Sequence, residues 1–212
     1  MSFFAYCAAA TAAGLLGLLL AEASGSRSRV WIAKPLASAG FVLAAWGVGA
    51  LGSPYGRAVL VALALCWLGD VLLIPSGRAA FLGGLGSFLA GHVAFAVAFL
   101  LRGVTPVATA VAFALLLPGV AGVWRWLAPR LDGALRIAVP AYIAVIALMV
   151  ALAAGSAWHR PGWLLLAGAV LFFVSDLSVA RDRFVRTGLV NRLWGLPLYY
   201  AAELLFAASV GR

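Results

Sequence analysis

Three of the six acidic residues in this 212-residue chain, Asp70, Asp176 and Glu203, sit inside long apolar stretches. An ionisable side chain in hydrocarbon is costly even on lenient insertion scales, so each marks a functional site by default. Asp70 follows Gly69 and Asp176 follows Ser175, 106 residues later, which is half the chain. Two carboxyls in a low-dielectric site resist ionising together. One then serves as an acid while the other stabilises a cation or activates water. The pair acts as a coupled unit, and the sequence does not say which aspartate takes which role.

Other polar residues extend this set. Lys34 is the single lysine among fifteen basic residues. It either snorkels to the interface or meets a phosphate or an aspartate, with Pro35 fixing the turn that presents it. Phe81, Gly84, Phe88, His92 and Phe95 recur at spacings of three or four, a single helical stripe expected to face the interior. A lone His on such a stripe is usually a satisfied core residue, but two intramembrane aspartates favour a site. Tyr199 and Tyr200 precede Glu203 by about one turn and are expected to line a cavity. Substrate contact is assigned to Lys34, Phe88, His92, Tyr199, Tyr200 and Glu203. His159 beside Arg160, Asp132 and Asp182 read as loop or interfacial residues, and Glu22 as the end of the first apolar stretch.

Several chemistries fail on inventory. There is no Gly-rich nucleotide loop and no G-x-S-x-G nucleophile elbow. A catalytic zinc site lacks its ligands, because His92 is the single intramembrane histidine. The Tyr-Asp and Gly-x-Gly-Asp pair of intramembrane aspartyl proteases is missing, since Phe173-Val174-Ser175-Asp176 and Trp67-Leu68-Gly69-Asp70 match neither. Cys7 and Cys66 lie within apolar stretches as reduced side chains. No metal or cofactor is expected.

The elements that must carry these residues follow from composition. The chain is 66% hydrophobic and 10% charged, with a mean hydropathy of +1.11, well beyond soluble domains. Eight apolar stretches near 3–21, 31–51, 57–75, 80–101, 104–124, 134–155, 161–180 and 193–210 predict an all-α, eight-span membrane protein. The chain 1–212 reads as one transmembrane domain, with no room for a soluble one. A net charge of +9 would suggest nucleic acid in a soluble protein, but these charges stand singly in short connections. Ten arginines follow spans 1, 3, 5 and 7, against Arg57, Arg102, Arg160 and Arg212 elsewhere. The positive-inside rule makes the first set cytoplasmic and both termini non-cytoplasmic, in a bacterial inner membrane. Ala21-Glu22-Ala23 resembles a signal-peptidase site, but no basic region precedes that apolar run, so it reads as a retained span.

The two halves, 1–106 and 107–212, show a faint repeat. Lys34-Pro35, which opens span 2, matches Val139-Pro140, which opens the central part of span 6, Arg78 and Phe81 match Arg181 and Phe184, and His92 falls opposite Tyr199, all at offsets of 103 to 107. A four-plus-four duplication with parallel halves would put Asp70 and Asp176 face to face at similar depth, where repeat-built proteins hold their sites. Lys34, the aspartates, His92 and Glu203 then fill the cytoplasmic half, as a cavity open to the inner leaflet requires.

The series Lys34-Pro35-Leu36, Gly69-Asp70 with Leu72-Leu73, Phe81-x2-Gly84-x3-Phe88-x3-His92, Ser175-Asp176 and Tyr199-Tyr200 resembles the YhhN-like lysoplasmalogenases. Glu203 and Phe95 depart from that pattern, in which Gln and Tyr are usual. The resemblance implies eight spans and hydrolysis of the vinyl ether of a lysoplasmalogen to a fatty aldehyde and glycerophosphoethanolamine or glycerophosphocholine. It also implies that Asp70 and Asp176 are the acidic pair, surrounded by Lys34, His92 and Tyr200, with a lysophospholipid as substrate. Such chemistry protonates the alkene carbon and captures the oxocarbenium ion with water, which suits one acid and one base. The competing expectation is a proton-coupled transporter of a lipid or small molecule, in which the buried acids carry protons.

Overall fold

A computed structural model describes residues 2–211. Its regular structure is helical throughout: α1 (Phe3–Ala23), α2 (Arg27–Gly47), α3 (Pro54–Leu72), α4 (Arg78–Arg102), α5 (Pro106–Leu127), α6 (Leu135–His159), α7 (Trp163–Phe184) and α8 (Leu189–Ser209). The sequence predicts all eight, with ends displaced by a few residues. Seven of them are long and apolar enough to cross a membrane. The eighth, α8, has the length but carries Asn191, Arg192 and Glu203. Asn191 and Glu203 are buried inside the protein, so the polarity of α8 is directed inward, away from lipid.

Local signals set the helix ends. Ser53 caps α3 by accepting the Gly56 N–H at 2.9 Å, with Pro54 in the first turn, where its missing N–H is harmless. Gly25 turns the chain from α1 into α2 at φ +65°, a left-handed conformation that glycine adopts freely.

Two expectations about ends are corrected. The helix carrying Lys34 starts at Arg27, so Lys34-Pro35 lies in its interior and does not open it. Pro35 removes one backbone bond there, a loss that membrane helices tolerate when neighbouring groups compensate. Its own carbonyl accepts the Trp67 indole N–H from α3 at 3.1 Å. Asp182 and His159 are likewise not loop residues. Asp182 lies in the last turns of α7 and His159 ends α6.

The hairpin pairs α1/α2, α3/α4, α5/α6 and α7/α8 pack most closely. Six helices then close a ring in which α2 meets α3, α3 meets α4, α4 meets α6, α6 meets α7, α7 meets α8 and α8 meets α2. Outside it, α1 lies against α2 and α8, and α5 against α6. Along α5, large apolar side chains such as Val107, Val111 and Leu115 stay exposed, as a lipid-facing helix requires. Inside the ring, Phe41, Phe95, Phe99, Phe172 and Phe206 are fully buried.

Glycine sets the closeness of the site helices. A Cβ on Gly69 would lie 2.7 Å from two carbons of the Phe88 ring, so the bare backbone of α3 lets Phe88 of α4 lie against it beside Asp70. Gly69→Ala is expected to cost about 1–3 kcal/mol by overpacking and to push Phe88 into the cavity it borders. Thermal unfolding in detergent checks this, and an unchanged Tm would contradict it.

Candidate active site

The ends of α1, α3, α5 and α7 and the beginnings of the other four helices enclose a cavity of about 590 Å³. It therefore lies at the arginine-rich end of the bundle. Asp70, Asp176, Lys34, Phe88, Tyr142 and Tyr199 line its inner part. The two aspartates expected to share a site thus border one space, Asp70 two residues before the end of α3 and Asp176 eight residues before the end of α7.

Their surroundings differ. Asp70 is 2% exposed and is ringed by donors. The Lys34 ammonium stands 3.1 Å from Oδ1. Oδ2 accepts the Ser38 hydroxyl at 2.6 Å and the Tyr199 hydroxyl at 2.7 Å. Lys34 and Ser38 are four residues apart on α2 and so share a face. Of the two roles open to Lys34 in the sequence, the structure shows the aspartate partner.

Among the described residues, Asp176 meets no lysine or arginine. Its Oδ2 accepts the Tyr142 hydroxyl of α6 at 2.7 Å, and the His92 Nε2 lies 3.6 Å from the same oxygen. His92 Nδ1 stands 2.7 Å from the Phe88 carbonyl. A carbonyl accepts only, so Nδ1 carries the proton and Nε2 turns toward Asp176. The ring is held against Phe172 at 4.4 Å and Tyr142 at 5.1 Å between centroids.

Each aspartate is therefore gripped from both halves of the chain. Asp70 on α3 is held by α2 of its own half and by Tyr199 on α8. Asp176 on α7 is held by Tyr142 on α6 of its own half and faces His92 on α4. Tyr199 and His92 are the residues that the expected duplication would pair, at an offset of 107.

The other expected site residues lie deeper. All five residues of the α4 stripe are buried. Phe88, Phe172 and Tyr199 pack edge to face, with centroids 5.4–6.3 Å apart, as a floor under the cavity. Tyr200 points behind that floor, its hydroxyl 3.0 Å from Ser38 Oγ, and so braces a ligand of Asp70. Glu203 is fully buried, and among the described residues neither of its carboxyl oxygens has a hydrogen-bond partner. Neither Tyr200 nor Glu203 borders the cavity.

Sequence reasoning misses several participants. Ser38 and Tyr142 hold the two aspartates, and their spacing of 104 within the repeat register was the available signal. At the cavity mouth, Arg192 of α8 pairs with Glu22 of α1 and stands 3.7 Å from Asp182 of α7. Asp182 Oδ1 also accepts the Gly188 N–H at 2.9 Å and the Asn191 amide at 2.8 Å, tying α7 to the start of α8. No local pattern announces pairs so distant in sequence.

Comparison with known proteins supplies the lineage. The model of the YhhN family matches residues 29–210. Lysoplasmalogenase TMEM86A of Bos taurus is 34% identical over 178 residues, covering 79% of this chain and 71% of that protein. The human protein of the same name is 31% identical over 175 residues, with the same coverage of 79% and 71%. The lysoplasmalogenase of Mycobacterium bovis is 34% identical over 173 residues, 76% of this chain and 64% of its own length. No solved structure matches. A match spanning most of the chain, from α2 to the end of α8, makes this protein a member of the YhhN family, and its relatives are hydrolytic enzymes of the lysoplasmalogenase type.

Proposed function

We propose that this protein hydrolyses the vinyl ether of lysoplasmalogen, using Asp176 as the acid and Asp70 as the carboxylate, and releases a fatty aldehyde and a glycerophospho-alcohol. The observation that carries the assignment is the contrast between two aspartates on one cavity. An ammonium and two hydroxyl donors surround Asp70, an arrangement that holds a negative charge. Asp176 faces a hydroxyl and an imidazole nitrogen with no cation, an arrangement suited to a carboxylic acid.

The steps balance. The Asp176 proton passes to the alkene carbon, leaving an oxocarbenium ion that the Asp70 carboxylate stabilises. Water adds to the cationic carbon and gives a proton to Asp70, forming a hemiacetal. The hemiacetal hydroxyl returns a proton to Asp176 as the C–O bond breaks, and Asp70 protonates the departing glycerol oxygen. Both carboxyls end as they began, one vinyl ether and one water having become aldehyde and alcohol. No cofactor takes part.

Positioning explains the remaining side chains. His92 and Tyr142 fix the Asp176 carboxyl, and Tyr199 fixes Asp70 while its ring forms part of the floor. Tyr142→Phe is expected to lower kcat about tenfold, the scale of one lost hydrogen bond. Aldehyde trapping under substrate saturation checks this, and an unchanged kcat would remove Tyr142 from the site.

The duplication and the topology belong to this reading. The order around the six-helix ring is two-fold, with α4 against α6 mirrored by α8 against α2, and α2 against α3 by α6 against α7. That pattern supports two parallel halves, each delivering one aspartate. The place of the cavity at the arginine-rich end supports a lysolipid entering from the cytoplasmic leaflet of the cell membrane, with both termini on the opposite side.

Purified protein in detergent provides the test. Aldehyde release from lysoplasmalogen, with no release from the saturated alkyl ether, is the expected result. Uptake of lipid into sealed vesicles without any aldehyde would favour the proton-coupled transporter instead.

A further inference from the structure

We propose that the cavity mouth is a subsite that reads a zwitterionic phosphoethanolamine headgroup, the phosphate lying on Arg183 and Arg192 and the primary ammonium on Glu22. The proposal rests on the lysoplasmalogen reading for the identity of the lipid. It assigns headgroup selection to residues that play no part in the bond cleavage.

The mouth offers both signs of charge with open valences. Arg192 pairs with Glu22 through Oε2 alone, and among the described residues no donor reaches Glu22 Oε1. Arg183 stacks its guanidinium on the Phe81 ring, 4.4 Å from the centroid, and among the described residues no protein acceptor takes its N–H groups. A guanidinium held flat on a ring keeps its N–H edge free for a phosphate. Glu22, Asp182, Arg183 and Arg192 all border the cavity. They are not a surface cluster remote from it.

The spacing fits the substrate. Asp176 and Arg183 are seven residues apart on α7, about 10 Å at ~1.5 Å per residue. In a lysoplasmalogen, seven bonds separate the alkene carbon to be protonated from the phosphorus, about 9 Å when extended at ordinary bond lengths. A lipid with its alkene at Asp176 therefore places its phosphate at the level of Arg183. The amine lies beyond it, toward Glu22 and the α1–α2 turn.

The headgroup preference follows from donor chemistry. A primary ammonium donates hydrogen bonds to a carboxylate, whereas a quaternary one has none to give and is best held by an aromatic cage. The mouth has no such cage to offer. One face of Phe81 is covered by Arg183, and its ring meets Phe184 edge to face at 5.9 Å.

Binding of uncleavable 1-O-alkyl lysolipids to the purified full chain tests this apart from catalysis. The ethanolamine lipid is expected to bind about tenfold more tightly than the choline lipid, a difference of one charge-assisted contact. Glu22→Gln should erase that difference, and Arg183→Gln should weaken both lipids about equally. Equal binding by the wild type, or a preference that survives Glu22→Gln, would overturn the subsite. Aldehyde release measured in parallel separates the two readings. Release without headgroup selection removes the subsite alone, and selection without release keeps the subsite while removing the hydrolase.

Discussion

Asp176→Asn is expected to reduce kcat for aldehyde release by on the order of 10³-fold while leaving the protein folded. The magnitude is that of a general acid removed from a reaction that begins with proton transfer. The fold should survive because the amide replaces the carboxyl contact for contact. Its oxygen, placed where Oδ2 stands, accepts the Tyr142 hydroxyl that now reaches that atom at 2.7 Å, and the amide matches the carboxyl in size and shape. Packing around Phe172 and His92 is untouched. Comparing kcat with Tm in the same detergent separates lost chemistry from lost structure. Turnover within a few fold of wild type would exclude Asp176 as the acid.

The largest effect on stability is expected at Lys34. Its side chain is 12% exposed and that of Asp70 is 3% exposed, so their ion pair is largely shielded from water. Lys34→Met leaves a buried carboxylate with hydroxyl donors alone, and breaking such a pair from one side costs about 3–5 kcal/mol. The double variant Lys34→Met/Asp70→Asn removes both charges and should recover most of the loss, since the neutral amide can still accept from Ser38 and Tyr199. Activity should not recover with it, because the carboxylate that steadies the oxocarbenium ion is gone. Unfolding midpoints for the two single variants and the double provide the coupling. Additive losses would mean that the pair contributes nothing as a pair.

Much of this arrangement was legible in the residues. Hydropathy alone locates eight helices, because each must cover the bilayer core, and the cost of a carboxyl in hydrocarbon singles out Asp70 and Asp176. The α4 stripe shows its buried face through helical periodicity. What stayed hidden was set by tertiary packing. Pro35 looks like a helix start, yet α2 begins eight residues earlier, because neighbours in a bundle compensate for a lost backbone bond. Glu203 and Tyr200 read as cavity walls, but a shift of one residue or one turn along α8 puts them behind the floor that Tyr199 helps to form. Asp182 and Glu22 looked like ordinary interfacial charges. Their meeting through Arg192 joins three helices across most of the chain, which no local spacing reveals.

The contrast between the aspartates also bears on the proposed duplication. Positions that the proposed repeat would pair hold different residues, Lys34 and Ser38 on α2 against Val139 and Tyr142 on α6, and Tyr199 on α8 against His92 on α4. A symmetric pair of sites would give two equivalent carboxyls. In the proposed reaction these differences make one a charge holder and the other a proton donor.

The most direct test of that division follows the proton itself. Hydrolysis of lysoplasmalogen in D2O, with the aldehyde reduced as it forms, should give an alcohol bearing one deuterium at C2 in a single configuration, because an acid fixed on the cavity wall delivers it to one face of the alkene. A racemic label, or none, would contradict protonation by Asp176 within the site.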